Sequence, residues 1–422
     1  MSEEPSFSVV IAAFNAATWI VPTVRSALAQ THRACQIIVV GDGCTDATGE
    51  VLAAHFGAAV RWTNLDRNHG GQSFPNNEGI RLARGTHIAY LGHDDIWSPR
   101  HLQSLTEVIR QVDPDFAVSG AIYHGPPGSR FYQITGMFED PNTPEREFFP
   151  PSSFAHRRDV VERIGPWREP GSLRAPADCE FLLRAVGRGC SFASTRAITV
   201  HKFAAGHRYL SYRFPSADEQ ERMLERLSVP GGESAVLTEI DREIAAGADH
   251  PPIMYPDFES FERGALFRRN RRVKGFEGAA PIVVEASCVL PVESSAAGLD
   301  WHPLQRDASG RPFRWSGPNP NPRHPIDVRL PGSCILRIHV LAFARAELAD
   351  GLAIDIDGRE VEFSRAQRAD GSHVFTVGPI AGPVDGGIVV RFRMPGCASL
   401  RRDSGRIRAG LALSSVEVEP IA

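Results

Sequence analysis

The strongest constraint on this chain is the regular alternation of short apolar runs with helix-forming stretches near its start. Residues 8–13, 36–40, 59–63 and 87–91 read as buried strands, too apolar to have a solvated face. Between them, residues 15–30, 45–55 and 78–84 carry helical spacing, with Ile20, Val24, Ala27 and Leu28 forming one apolar stripe. Thr18 is the expected N-cap of the first helix, Thr45 or Asp46 that of the second, and Gly85 closes the third. Ser98-Pro99 is a further helix start, with Leu102, Leu105, Ile109 and Val112 on its buried face. Strands alternating with helices give a mainly parallel α/β sheet flanked by helices. Open sheets of that kind bind ligands at the C-terminal ends of their strands.

At 422 residues the chain exceeds one small core, and about two to three domains are expected. A net charge of -4 argues against a nucleic-acid partner on global electrostatics. The 7 cysteines are scattered, with no Cys-x-x-Cys pair, which suggests neither a zinc site nor a disulfide framework. The N-terminal segment is acidic without an apolar core, and no apolar run is long enough to span a bilayer, so a cytoplasmic protein is expected.

The pattern changes after about residue 230. Residues 216–227 and 233–246 read as charged helices. Residues 258–274 read as a basic helix, with Phe261, Leu266 and Phe267 among Arg263, Arg268, Arg269, Arg271, Arg272 and Lys274, and such a helix can lie at the inner face of an anionic membrane. From about residue 281 short strands separated by Pro, Gly, Asn and Asp clusters suggest a β-sandwich. The expected division is 1–230 for the α/β domain, 231–278 for a helical linker and 279–422 for the β-sandwich.

The chemistry sits at strand ends. Phe14-Asn15 follows the first strand, Gly41-Asp42-Gly43-Cys44-Thr45-Asp46 the second, and Gly92-His93-Asp94-Asp95 the fourth. Adjacent ionised carboxylates repel, so Asp94-Asp95 favours a cation, and a divalent ion carrying a diphosphate is the natural partner. Asn68-His69-Gly70-Gly71-Gln72-Ser73 is a Gly-rich loop, followed by Asn77-Glu78-Gly79-Ile80. Gly41-x-Gly43 lacks the third glycine of a dinucleotide fingerprint and follows the wrong strand, which sets that reading aside.

In this order and spacing the motifs resemble the family 2 glycosyltransferases of the GT-A fold over residues 7 to about 205, including Trp97-Ser98-Pro99 after the Asp pair. The resemblance implies a nucleoside diphosphate sugar donor, Mn2+ or Mg2+, inverting transfer to a glycan or lipid-linked acceptor, and a role in bacterial surface polysaccharide synthesis. It implies nucleotide contacts from Ala12, Phe14, Asn15, Asp42, Asn77 and Asp94, and metal contacts from Asp95 and His201. Asp178, in Ala177-Asp178-Cys179-Glu180-Phe181-Leu182-Leu183-Arg184, aligns with the family's catalytic base. Ala177 replaces a common Glu and Asn76 a common Arg, for which Arg67 or Arg208 could substitute. These departures motivate one rival, a binding protein without turnover. Another rival, a nucleotidyltransferase, usually needs a basic Gly-rich loop after the first strand, which is absent. Leu299-Asp300-Trp301-His302-Pro303-Leu304 and Phe313-Arg314-Trp315-Ser316-Gly317 are similar to accessory β modules of polysaccharide-building enzymes, where Trp301 and Trp315 would stack on sugars or anchor a core.

Overall fold

The computed structural model describes residues 4–125, 132–140, 142–203, 212, 215–246, 252–268, 282–292, 301–302, 304–317, 321–326, 328–385, 387–402 and 405–421. The chain divides into two compact units, one drawn from the chain up to Arg271 and the other mainly from Arg272–Ala422. Residues 215–271 group with the first unit, and the boundary expected at 278/279 falls outside the described residues.

The first unit is a mixed sheet with helices. Its strands are β1 (Phe7–Ala13), β2 (Gln36–Gly41), β3 (Arg61–Asn64), β4 (His87–Tyr90), β5 (Ile96–Trp97), β6 (Phe116–His124), β7 (Tyr132–Thr135), β8 (Phe154–Arg157) and β9 (Phe192–Lys202). Their order is β3-β2-β1-β4-β8-β6-β9-β5, with β7 beside β6. β1 runs parallel to β2 and β4, which explains its unbroken apolar sequence: a central parallel strand is buried on both faces. Val9 and Ile11 point into a layer shared with Ile20 and Val24 of α1 (Ile20–Leu28). Leu102 and Leu105 of α4 (His101–Val112) complete that layer. Val10 points the other way, into a layer with Phe154 and with Phe181 and Leu182 of α6 (Ala177–Gly187). The remaining helices are α2 (Thr48–Phe56), α3 (Ser73–Leu82), α5 (Val160–Ile164), α7 (Asp218–Ser228) and α8 (Gly232–Ala245). The α/β architecture expected from the alternation is therefore present.

Several boundaries differ for local reasons. Trp19 rather than Thr18 precedes α1, because the Ala16 carbonyl accepts from both the Trp19 and Ile20 amides. α4 starts at His101 and not at Pro99, because Ile96 and Trp97 form a fully buried strand antiparallel to β9 and the Ser98 amide continues the contact to the Thr199 carbonyl. α3 starts at Ser73, ahead of the expected Glu78. Within the described part of the basic helix expected over 258–274, Phe258–Ser260 is a 3-10 turn and residues 265–268 are helical, while Arg269, Arg271, Arg272 and Lys274 lie outside the described residues. None of the described helices is long and apolar enough to cross a membrane.

The second unit is built almost wholly of β-strands. A seven-stranded sheet includes Cys334–Phe343 between Leu411–Pro420 and His373–Ile380, and a four-stranded sheet includes Ala353–Ile356 and Ile388–Arg393. Cys334, Leu336, Ile338 and Val340 alternate inward and share one core with Ile354, Ile356, Val390 and Phe392 of the other sheet. Trp301 is 5% exposed in that core and donates its indole N–H to the Arg323 carbonyl at 2.8 Å. Trp315 is 8% exposed against Ala409 and Ala412. Of the two roles open to these tryptophans, both side chains take that of core anchors.

Candidate active site

The strand ends place the expected site residues together, with several roles changed. Asp42 leaves β2 with its amide on the Ala13 carbonyl at 2.7 Å. Gly43 then turns with φ 66°, and a Cβ there would lie 2.3 Å from the Arg67 carbonyl carbon, so the turn requires glycine. Asp42 is 3% exposed. Its Oδ1 accepts the His69 amide at 3.0 Å and lies 3.1 Å from His69 Nδ1. Its Oδ2 accepts the Gly70 and Gly71 amides at 2.9 and 3.2 Å. These contacts engage the carboxylate's accepting positions. Asp42, expected at the nucleotide, therefore holds the Gly-rich loop. A carboxylate can only accept, so His69 carries its proton on Nδ1, and its ring stacks on Phe74 at 4.1 Å.

Ala12, Phe14 and Asn15 end β1 beside this loop, all half-buried. Asn15 adopts φ 46° and exchanges hydrogen bonds with Thr45, receiving its amide at 2.9 Å. The Ala12 carbonyl accepts from His93 Nδ1 at 3.0 Å and so joins β1 to the carboxylate turn.

That turn follows β4. The Asp95 amide bonds the Gly92 carbonyl at 3.0 Å, and Thr23 Oγ1 donates to the carbonyls of His93 and Asp95. A Cβ on Gly92 would lie 2.5 Å from Asp95 Oδ2 and 3.3 Å from Asp94 Oδ1, so glycine leaves the room both carboxylates occupy. Asp95 is 1% exposed, and its Oδ2 accepts from Ser152 Oγ and pairs with Lys202 Nζ. Burial pushes this carboxyl up and Asp94 pushes it the same way, while Lys202 and Ser152 oppose them. His201 is fully buried on β9. Its Nδ1 lies 3.0 Å from His124 Nε2 and its Nε2 3.4 Å from Ser98 Oγ, and burial pushes it down to about 3. Asp95 and His201, the residues expected at the metal, thus bond to Ser152 and Lys202 and to His124 and Ser98. Asp94 is the half-buried carboxylate of the pair.

Asp178 lies in the first turn of α6, where its Oδ1 accepts the Cys179 amide at 2.9 Å. The helix is fixed from its far face. Phe181 stacks on Trp167 at 4.3 Å and 6°. Trp167 is clamped by Asn77, which donates Nδ2–H to its carbonyl and accepts its amide, both at 2.9 Å. Asn77, expected at the nucleotide, is thus bonded to the Trp167 backbone, and Trp167 stacks on Phe181 of α6. Glu180 pairs with Arg184 and Arg168 and is committed to the helix surface. Asn76 is buried in α3, Arg67 lies 3.5 Å from His69, and Arg208 is outside the described residues.

Asp94, Asp95 and Asp178 lie close enough to Tyr123 of β6 for their charges to act on its hydroxyl. Burial raises the Tyr123 hydroxyl, and the charges of Asp95, Asp178, Cys179 and Asp94 raise it further. Lys202 Nζ lies over the same ring, 5.6 Å from its centroid. Tyr123, Ser152 and Lys202 were not singled out by sequence reasoning. Only Lys202 had a signal, its place next to His201 after an apolar strand.

Residues 8–165 match the family Glycosyl transferase family 2. An uncharacterized glycosyltransferase of Nostoc sp. (strain PCC 7120) is 30% identical over 174 residues, 38% of this chain and 53% of that protein. The succinoglycan biosynthesis protein ExoO of Rhizobium meliloti is 41% identical over 103 residues, 24% of this chain and 29% of that protein. The chain thus spans about half or less of the length of these curated relatives. Among solved structures, S. aureus TarS 1-349 in complex with UDP-GlcNAc aligns with a TM-score of 0.39 at 17% identity, covering 58% of this chain and 73% of that one. The first unit carries a glycosyltransferase family 2 domain.

Proposed function

We propose that this chain moves a sugar from a nucleoside diphosphate sugar to a glycan or lipid-linked acceptor in surface polysaccharide synthesis. The observation that carries this reading is the carboxylate turn after β4, with Asp94 half-buried and Asp95 tied to Lys202 at the end of β9, beside a Gly-rich loop held by Asp42 after β2. The match of ExoO to this chain supports the polysaccharide context. Asp178 acts as general base. It takes the proton of the acceptor hydroxyl as that oxygen attacks the anomeric carbon, and the configuration inverts. The loop held by Asp42, with Phe14 and Asn15, receives the nucleotide, and Asp94 lies on the diphosphate side. The second unit, read as a β-sandwich, serves acceptor recognition or assembly.

Among the described residues no three His, Cys, Asp or Glu side chains are grouped to hold a metal ion. Divalent ions in such sites commonly use one or two carboxylates together with substrate phosphates, and Asp94 meets that requirement. A bound Mn2+ or Mg2+ would supply charge neutralisation for the leaving diphosphate. The GDP-Man and Mn2+ complex of a Pyrobaculum calidifontis mannosyltransferase aligns with this chain at a TM-score of 0.37. The chain's own residues do the rest: Lys202 balances Asp95, and Asp178 accepts the proton.

The test incubates the full chain with UDP-, GDP-, CDP- and dTDP-sugars, with and without manganese. Release of a nucleoside diphosphate and an inverted anomeric product is expected. Release of pyrophosphate, or binding without turnover for every donor, would overturn the proposal.

A further inference from the structure

A segment far beyond the family match crosses the region of Asp178. Its Phe148 side is fixed by backbone bonds: Phe148 N to the Ile253 carbonyl at 2.7 Å and Tyr255 N to the Arg146 carbonyl at 2.9 Å. Its other side is fixed just ahead of α6. Arg174 Nη1 donates to the carbonyls of Glu259 and Phe261 at 2.8 and 2.9 Å, and Gly264 N to the Leu173 carbonyl at 2.7 Å. The strap 253–264 is therefore tied on both sides of the turn that presents Asp178. Between the ties lies Tyr255, its ring edge-on to Phe148 at 6.2 Å and to Phe258 at 6.0 Å.

Among the described residues the buried Tyr255 hydroxyl has no hydrogen-bond partner. An unsatisfied buried donor costs about 1–3 kcal/mol, a cost that an oxygen of a bound ligand would relieve. Nearby groups do not supply the acceptor. Glu147 is engaged by Thr135 Oγ1 at 2.7 Å and the Gly136 amide at 2.8 Å. Asp178 is close enough for its charge to act on Tyr255, yet the two do not bond. Burial holds the hydroxyl protonated, so it is a donor at working pH.

We propose that Tyr255 is an acceptor-binding residue, donating its hydroxyl hydrogen bond to an oxygen of the polyhydroxylated sugar acceptor held against Asp178. This rests on the glycosyltransferase reading above and adds the residue that selects a sugar over water at the base. The proton still passes from the attacking hydroxyl to Asp178, and Tyr255 keeps its own.

The test compares the full chain with Tyr255→Phe and Phe258→Leu. Each is given the nucleotide sugar that the unaltered chain hydrolyses fastest, with excess methyl glycosides as acceptor probes. The readouts are the ratio of transfer to hydrolysis, the donor KM and the thermal midpoint. Tyr255→Phe should lower the ratio about ten-fold, within the range for one hydrogen bond. Its donor KM and midpoint should be unchanged. Phe258→Leu, which loosens the ring contact but keeps the hydroxyl, should hold the original ratio. An unchanged ratio in Tyr255→Phe would overturn the proposal. A raised donor KM would move the contact to the donor, and a lowered midpoint would show a bond within the fold, each also overturning it. Hydrolysis without transfer to any methyl glycoside by the unaltered chain would overturn it as well. Failure of the unaltered chain to bind or hydrolyse any nucleotide sugar would instead remove the underlying reading, a distinct result.

Discussion

The two units bury polar side chains to different ends. In the first, Asp42, Asp95, His101 and His201 are inside the fold, and Asp42, Asp95 and His201 cluster around the strand ends that carry the candidate site. Each buried carboxylate has donors aimed at it: loop amides for Asp42, Lys202 and Ser152 for Asp95. In the second, the main core is aliphatic and aromatic, from Leu336 and Ile338 to Phe392 and Trp301. Ion pairs there are mostly partly exposed, as for Arg311 with Asp307 and Asp370, while buried Asp355 pairs with the partly exposed Arg393. Burying a charge is costly without a partner, so the first unit's arrangement marks where its sequence answers to chemistry as well as to packing. The second unit's tryptophans answer to packing.

Single substitutions should separate the two. The largest effect is expected from Asp95→Asn, which leaves the Lys202 ammonium beside a neutral amide and should cost about 3–5 kcal/mol. The loss should fall on the first unit's thermal transition, measured by calorimetry, and leave the second unit's transition in place. An unchanged first transition would break the comparison. Trp301→Ala should act in reverse, costing the second unit about 3–5 kcal/mol through the cavity left in its core while nucleotide binding persists. Loss of sugar binding with no loss of stability would restore Trp301 as a ligand-stacking residue.

Asn77→Ala should be milder, about 1–3 kcal/mol, because it leaves the Trp167 backbone groups without their partners. Its signature is a fall in kcat with little change in nucleotide affinity, since Trp167 reaches the site through Phe181 on α6. A weakened nucleotide affinity at constant kcat would return Asn77 to the nucleotide.

The two units should also differ in pH response. Burial pushes His87 and His156 down to about 4 and His101 and His201 down to about 3. Their folded pKa values lie below the unfolded value, so the unfolded chain binds more protons as pH falls. The stability is fully present above about 6.5 and is lost on going down through the window to 3–4, at up to roughly 1.4 kcal/mol per pH unit for each group. The second unit has one such histidine lowered to about 4, His324, with His339 and His373 also lowered. Chemical denaturation between pH 7 and 5 should therefore weaken the first unit more steeply, and equal slopes would remove the distinction.

Much of this arrangement was legible from residue order. Apolar runs placed β1, β2 and β4, because a parallel strand buried on both faces is largely apolar, and the residues at their ends stood out as candidate site residues. Their roles were less legible. Asp42 and Asn77 could serve a nucleotide or a backbone equally well by residue type, and only tertiary geometry assigns the loop amides to one and Trp167 to the other. Asp95 read as a solvent-facing ligand because its partners, Ser152 and Lys202, are far away in sequence and neither belongs to a motif. Tyr255 lies outside the family match, so nothing near it in sequence pointed to the base.

The central claim is that Asp178 is the base of a sugar-transfer site separate in function from the nucleotide contacts. Asp178→Asn tests it most directly, with turnover and nucleotide affinity measured on the same preparation. The account predicts turnover lower by about 10²–10⁴-fold, the usual contribution of a positioned base, with nucleotide affinity unchanged. Turnover at the original rate, or a matching loss of nucleotide affinity, would contradict it.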